Sequence, residues 1–233
     1  MPFSAAVSDF ANELENLLSG ALSKKVSFKV LKAPLDNQEW KFSLTTKDMV
    51  GVPICIDSVV VFYVQIFYNC AWNNITERIT ILESSYTVWM KDVKEPLWRY
   101  DYVRDMSSKA PIAHLNVHAH RDEIVWAMSL KKKKSVHDLK IQKLHFPFGG
   151  ARFRPTIEDV LQMLIEEFDI DKSQNAKSIL EESRVRYFER QLHSAVIDSP
   201  GVAIEALEKL GYAVSEPSEK HLTVKTKKRK TSF

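Results

Sequence analysis

Between residues 54 and 120 the chain is a series of strand-like runs whose breaks are only a few residues long. Parallel strands need crossovers of a dozen or more residues, and no break here has room for one. The run must therefore fold as an antiparallel meander. Residues 54–68, dense in Val, Ile, Phe and Tyr, read as one long central strand. Trp72-Asn-Asn marks a turn, and 78–90 reads as the next strand. Lys94-Glu-Pro marks a second break before strands at 97–102 and 112–120. Two further strands precede the run. In 26–31, Val26, Phe28 and Val30 alternate with other residues; in 39–45, Trp40, Phe42 and Leu44 do so.

Helical periodicity frames this sheet. Phe10, Leu14, Leu17 and Leu18 predict a helix over 4–19, with Gly20 as its stop. A short helix is expected at 122–130 and a strand at 141–146. Thr156 reads as an N-cap with Asp159 three residues later. The stripe Val160, Leu161, Leu164 and Phe168 then carries a helix to residue 168. Two more helices, 173–196 and 202–210, are separated by Asp198-Ser-Pro-Gly, and Gly211 closes the second. Residues 213–215 and 221–224 could form a last hairpin. The expected fold is α+β, an antiparallel β-meander with an N-terminal helix and a C-terminal helical subregion. It is read as a single domain over 1–226, β-rich at 26–146 and helical at 156–211. A basic tail, expected to be disordered, follows at 227–233.

Composition narrows the class without naming a function. Only 6 glycines in 233 residues argue against a Gly-rich nucleotide-binding architecture. Cys55 and Cys70 sit in apolar, strand-like sequence, with no CxxC, zinc spacing or disulfide framework. A reduced, cytoplasmic setting follows as an expectation. The first residues lack a signal-peptide pattern, and the longest apolar run is too short to span a bilayer, so no membrane association is expected. No cofactor is expected.

Three segments could carry chemistry. In the run from Pro111 to His120, His114, Asn116, His118 and His120 alternate with Ala113, Leu115, Val117 and Ala119. A strand would put the histidines on one face and the apolar residues on the other. Imidazoles that titrate near neutrality suit proton transfer or metal binding. His118 and His120, about 6.6 Å apart along a strand, could start a two-ligand metal site. His114 is too remote to join them, and His145 is the obvious third ligand. A polar, solvated sheet face explains the same pattern without chemistry.

In Leu97-Trp-Arg-Tyr-Asp-Tyr-Val-Arg104, Arg99 and Asp101 share a face. Beside the histidine strand, Asp101 could orient an imidazole and Arg99 hold a phosphate; a cross-strand ion pair is the plainer reading. The third segment runs from Leu144 through the Gly149-Gly150 turn into the capped helix. Arg152 and Arg154 precede a helix N-terminus, so an anion could sit against them. The glycine spacing and Lys-Ser/Thr pair of a P-loop are absent. The alternative is a tight turn whose arginines neutralise nearby acids.

The run His145-Phe-Pro-Phe-Gly-Gly-Ala-Arg-Phe-Arg-Pro-Thr-Ile-Glu-Asp, preceded by Arg99-Tyr-Asp-Tyr and His114-Leu-Asn-Val-His, resembles a set of uncharacterised bacterial proteins, mainly actinobacterial, over residues 97–210. The order Arg-Tyr-Asp followed by a Pro/His strand loosely resembles the TumE family of toxin–antitoxin proteins. These resemblances imply a bacterial cytosolic protein and a nucleic-acid or toxin–antitoxin context.

Two functions fit. One is a non-catalytic module that binds a partner protein through its sheet face or helical half, in a toxin–antitoxin or phage-defence context. The other is a phosphodiesterase or ribonuclease-like protein acting on RNA or DNA. There His118 and His120 would move protons with help from His145 and Asp101, while Arg99, Arg152 and Arg154 would hold phosphate at the Gly149-Gly150 turn. Arg184, Arg186 and Arg190 on the 173–196 helix could touch nucleic acid, but pairing with Glu181, Glu182 and Glu189 is the simpler reading.

Overall fold

The computed structural model describes residues 3–34, 40–47, 50–73, 78–104, 110–119, 146–147 and 154–215. The chain divides into two compact units, residues 1–181 and 182–233.

The first unit is the α+β body. Its elements are helix α1 (Phe3–Leu22), strands β1 (Phe28–Pro34), β2 (Trp40–Thr46), β3 (Val52–Ile56), β4 (Val59–Asn73), β5 (Arg78–Met90), β6 (Pro96–Val103), β7 (Ala113–Val117) and β8 (Phe146–Pro147), and helix α2 (Ile157–Phe168). Every strand pairing is antiparallel, in the order β1-β2-β4-β5-β6-β7-β8, with β3 joined to β4. The expected meander is therefore the observed fold.

The expected central strand is divided. Residues 54–68 are not a single strand but the hairpin β3–β4, turned at Asp57 and Ser58 with φ of 50° and 65°. Asp tolerates this left-handed backbone, Ser much less so, and the flanking residues are apolar on both sides. A remote carboxylate helps hold the turn: Ser58 N–H donates to Asp171 Oδ2 at 2.7 Å, and Asp171 N–H donates to the Cys55 carbonyl at 2.8 Å.

β4 then serves as the spine. Its residues 67–71 pair with β2 and its residues 59–64 pair with β3, both on one edge, while β5 takes the other edge. The even-numbered residues Phe62, Val64, Ile66, Tyr68 and Cys70 all face the core. Helices α1 and α2 cover that face. Phe10 of α1 meets Phe42 and Tyr68 edge-on, and Phe168 of α2 meets Phe62 and stacks on Trp98.

Gly20 does not stop α1, which continues to Leu22 and ends at Ser23 with φ of 49°. A Cβ on Gly20 would come within 3.0 Å of the Ile179 side chain, so the glycine serves close packing instead. The α2 cap is as expected. Thr156 Oγ1 accepts from Asp159 N–H, and Asp159 Oδ2 accepts from Thr156 N–H at 2.8 Å.

Helix α3 (Ala176–Asp198) begins in the first unit; its residues 182–198 belong to the second, with helix α4 (Pro200–Lys209). Pro200 opens α4 at its first turn, and Gly211 with φ of 90° follows its end. No helix among the described residues is long and apolar enough to cross a membrane.

Candidate functional site

β6 and β7 bring two of the singled-out segments together. Asp101 lies directly opposite His114, and Arg99 opposite Asn116. β5 extends the same face with Ser85 opposite Asp101 and Thr87 opposite Arg99. Alternation puts Tyr100, Tyr102, Ala113 and Leu115 on the core side and these polar residues on the other. That other side is not a solvated face: His114 is 5% exposed and Asn116 3%. Within the strand the polar pair His114 and Asn116 is thus more covered than its apolar neighbours Leu115 and Val117, which are half-buried.

Burial forces these groups to satisfy one another. A single carboxylate oxygen, Asp101 Oδ2, accepts from Arg99 Nε at 2.6 Å and from Asn116 Nδ2 at 3.3 Å, and lies 3.7 Å from His114 Nε2. His114 Nδ1 is 2.8 Å from the Pro111 carbonyl. A carbonyl can only accept, so Nδ1 carries a proton and Nε2 is the nitrogen turned to Asp101. Asn116 Oδ1 is buried with no partner.

This geometry limits the chemistry. A general base needs one ring nitrogen within reach of a substrate proton. Both nitrogens of His114 already face groups of the protein. The cavity beside it, lined by Asp101, Tyr86, Tyr100, Tyr102, His114 and Arg154 among others, is about 10 Å3. That is room for one water, whereas ligand pockets are typically some hundreds of Å3. Arg99, with a side chain 44% exposed, is the member of the cluster most open to solvent, and its charge is offset by Asp101.

Arg154 turns inward. It is 8% exposed, with its guanidinium carbon 3.9 Å over the Tyr102 ring. It borders the buried pair Tyr68–Tyr86, whose hydroxyls are 2.7 Å apart. Burial, Tyr86 and Glu158 push the Tyr68 phenol well above its ordinary range, while Arg154 pulls the other way. Arg154 thus contributes to the polar seam between the sheet and α2.

His118 lies just past the end of β7, its backbone N–H bonded to the Leu97 carbonyl. Its Nδ1 is buried and has no partner. Burial lowers its pKa; Glu95 opposes that and Arg99 adds to it. His120, His145, Gly149, Gly150 and Arg152 lie outside the described residues. β8 does lie beside β7, with Phe146 opposite Leu115. Among the described residues no three His, Cys, Asp or Glu side chains gather as a metal site would require.

Sequence reasoning set His114 aside because of its distance from His118, and did not choose Asn116. The signal for both was the register with Arg99-Tyr-Asp, which pairs them with Arg99 and Asp101.

A different surface stands out in the second unit. Val185, Phe188, Leu192 and Val196 follow helical spacing along α3 and are all exposed, Phe188 at 51%. The less exposed residues of the same stretch are Ser183, Arg184, Tyr187, Gln191, Ser194, Ala195, Ile197 and Asp198, and charged residues such as Arg186, Glu189 and Arg190 share the exposed side. On α4 and just beyond it, Val202, Ile204, Leu207, Leu210 and Tyr212 are exposed, and α4 buries no residue.

No family, no curated protein and no solved structure matches the chain.

Proposed function

We propose that the chain is a non-catalytic interaction module that docks a partner protein along the apolar side of α3 and α4. One observation carries this reading: in the second half of α3 four large apolar side chains are exposed at helical spacing. Over 182–198 the more covered side is mainly polar, while Val185, Phe188, Leu192 and Val196 stand exposed among charged residues. The four exposed side chains of α3 offer on the order of 300 Å2 of apolar surface, the size of the largest patch on an ordinary single chain, which is often functional. Leaving such a stripe in water is unfavourable, and a partner's apolar face would remove the cost. The motif resemblance gives the reading a bacterial toxin–antitoxin or phage-defence setting.

The test is binding of an apolar dye such as anilinonaphthalene sulfonate to the native protein. Wild type should enhance its fluorescence, and Phe188→Glu with Leu192→Glu should remove most of the signal without loss of helicity. Equal signals from the two proteins would end this reading.

Phosphodiester chemistry has one observation in its favour, the contact of Asp101 with His114 and Arg99. The Nδ1 of His114, held by the Pro111 carbonyl, and the one-water cavity weigh against it. A nuclease activity lost in His114→Ala and retained in Phe188→Glu would reverse the order of the two readings.

A further inference from the structure

We infer that Lys24 and Cys55 form a peroxide-sensitive modification site, in which oxidation of the thiol to a sulfenic acid is captured by the lysine amine as a sulfur–nitrogen bond. The two side chains already touch. Lys24 Nζ donates to Cys55 Sγ at 3.4 Å and to the Pro53 carbonyl at 3.1 Å. The carbonyl pins the ammonium against β3, beside the sulfur. Backbone bonds hold both residues in place. Lys24 N–H donates to the Ser19 carbonyl at 3.3 Å as α1 ends, and the Cys55 carbonyl accepts from Asp171 N–H at 2.8 Å. Cys55 is partly exposed, so a small oxidant reaches it, whereas Cys70 is buried between strands. The lysine stem is flexible enough to supply the further approach that a bond requires.

The chemistry balances with hydrogen peroxide as the one added reactant. The thiolate is the reacting form of a cysteine. Its sulfur attacks one peroxide oxygen, the O–O bond breaks, and a sulfenic acid and hydroxide form. Hydroxide takes a proton from the Lys24 ammonium, leaving a neutral amine and water. The amine nitrogen then attacks sulfur. An S–N bond forms, the S–O bond breaks, and the sulfenic hydroxyl leaves with an amine proton as a second water. Sulfenic acids condense in this way with a nitrogen held beside them. Sulfur gives up two electrons and the peroxide accepts them. A thiol reductant reverses the bond, whereas an uncaptured sulfenic acid goes on to the irreversible sulfinic acid. Lys24 thus keeps the oxidation of Cys55 reversible.

The test treats the full chain with low-millimolar hydrogen peroxide, quenches with catalase and maps tryptic peptides by mass. Wild type should give the Lys24 and Cys55 peptides joined, each lacking one hydrogen, and dithiothreitol should separate them. Methionine sulfoxides survive dithiothreitol and are told apart by that. Lys24→Arg keeps a cation at the sulfur and removes the amine. Its Cys55 should be trapped by dimedone as the sulfenic acid. The thiol it recovers in dithiothreitol after prolonged peroxide should fall at least about threefold below wild type. Circular dichroism checks the fold of the variant, and the wild-type mapping needs no variant. A wild type whose Cys55 stays a free thiol or takes dimedone, with no joined peptide, would overturn the capture. A bond from another lysine, or equal thiol recovery in Lys24→Arg, would overturn the role of Lys24.

Discussion

Asp101 Oδ2 lies 3.7 Å from His114 Nε2 across the β6–β7 ladder, and the same oxygen receives Arg99 and Asn116. One half-buried oxygen thus gathers three side chains on two neighbouring strands. Asp101→Asn keeps the shape but places either an amide donor or a weaker acceptor against Arg99 and Asn116. Loss of a charge-assisted buried acceptor should destabilise the protein by about 1–3 kcal/mol. Urea unfolding would show it as a lower midpoint with an unchanged slope. Arg99→Ala, which removes the most exposed member, should cost less.

His118 gives stability a pH dependence of known sign. Burial favours the neutral ring, so the folded pKa lies below 6.5, and the unfolded chain binds the proton more tightly. The contribution is complete above about pH 6.5 and is lost as the pH falls through the folded value. Unfolding midpoints measured from about pH 7.5 down to about pH 5 should fall more steeply for wild type than for His118→Gln. Parallel profiles for the two proteins would contradict the assignment.

The two thiols should differ in reactivity. Cys70 is fully buried between strands, and burial pushes its pKa far above the ordinary thiol range. Cys55 is partly exposed, with Lys24 Nζ 3.4 Å from its sulfur. Ellman's reagent should titrate one thiol in the native protein and two in denaturant, and Cys55→Ser should abolish the native reaction.

Much of the body was legible because its residues follow simple periods. The 78–90 strand was read with its observed bounds. The Thr156 cap was equally plain, since Thr and Asp at that spacing satisfy each other's backbone amides. The Asp57–Ser58 turn was not read. The polar Asp-Ser pair between apolar runs was the local signal, and it was passed over; part of what holds the turn is a carboxylate 113 residues away. The burial of the histidine stripe was hidden for another reason. Alternation tells which residues share a face, and it cannot tell whether that face is covered. The exposure of Val185, Phe188 and Leu192 was missed because they look like ordinary core positions continuing from the buried Leu180.

Gly51 should be among the least replaceable residues. Its φ is 104°, and an added Cβ would stand 2.7 Å from the Val64 carbonyl oxygen. Gly51→Ala therefore meets both backbone strain and a backbone clash, at a cost of about 2 kcal/mol or more. Thermal unfolding should show a clear drop in Tm; a change of less than a degree would mean that the loop between β2 and β3 relaxes freely.

The shared edge of β4 also sets how this chain tolerates insertions. β2 and β3 read the same strand from two stretches, 67–71 and 59–64, separated only by Gln65 and Ile66. One extra residue at that junction would leave each local pairing chemically possible and throw the two out of phase. Either the β2 stretch or the β3 stretch would then turn its apolar side chains away from the helices. Between β2 and β3 the connection can lengthen without disturbing phase, whereas the spine cannot. β4 acts as a ruler with two marks, and the distance between the marks is fixed.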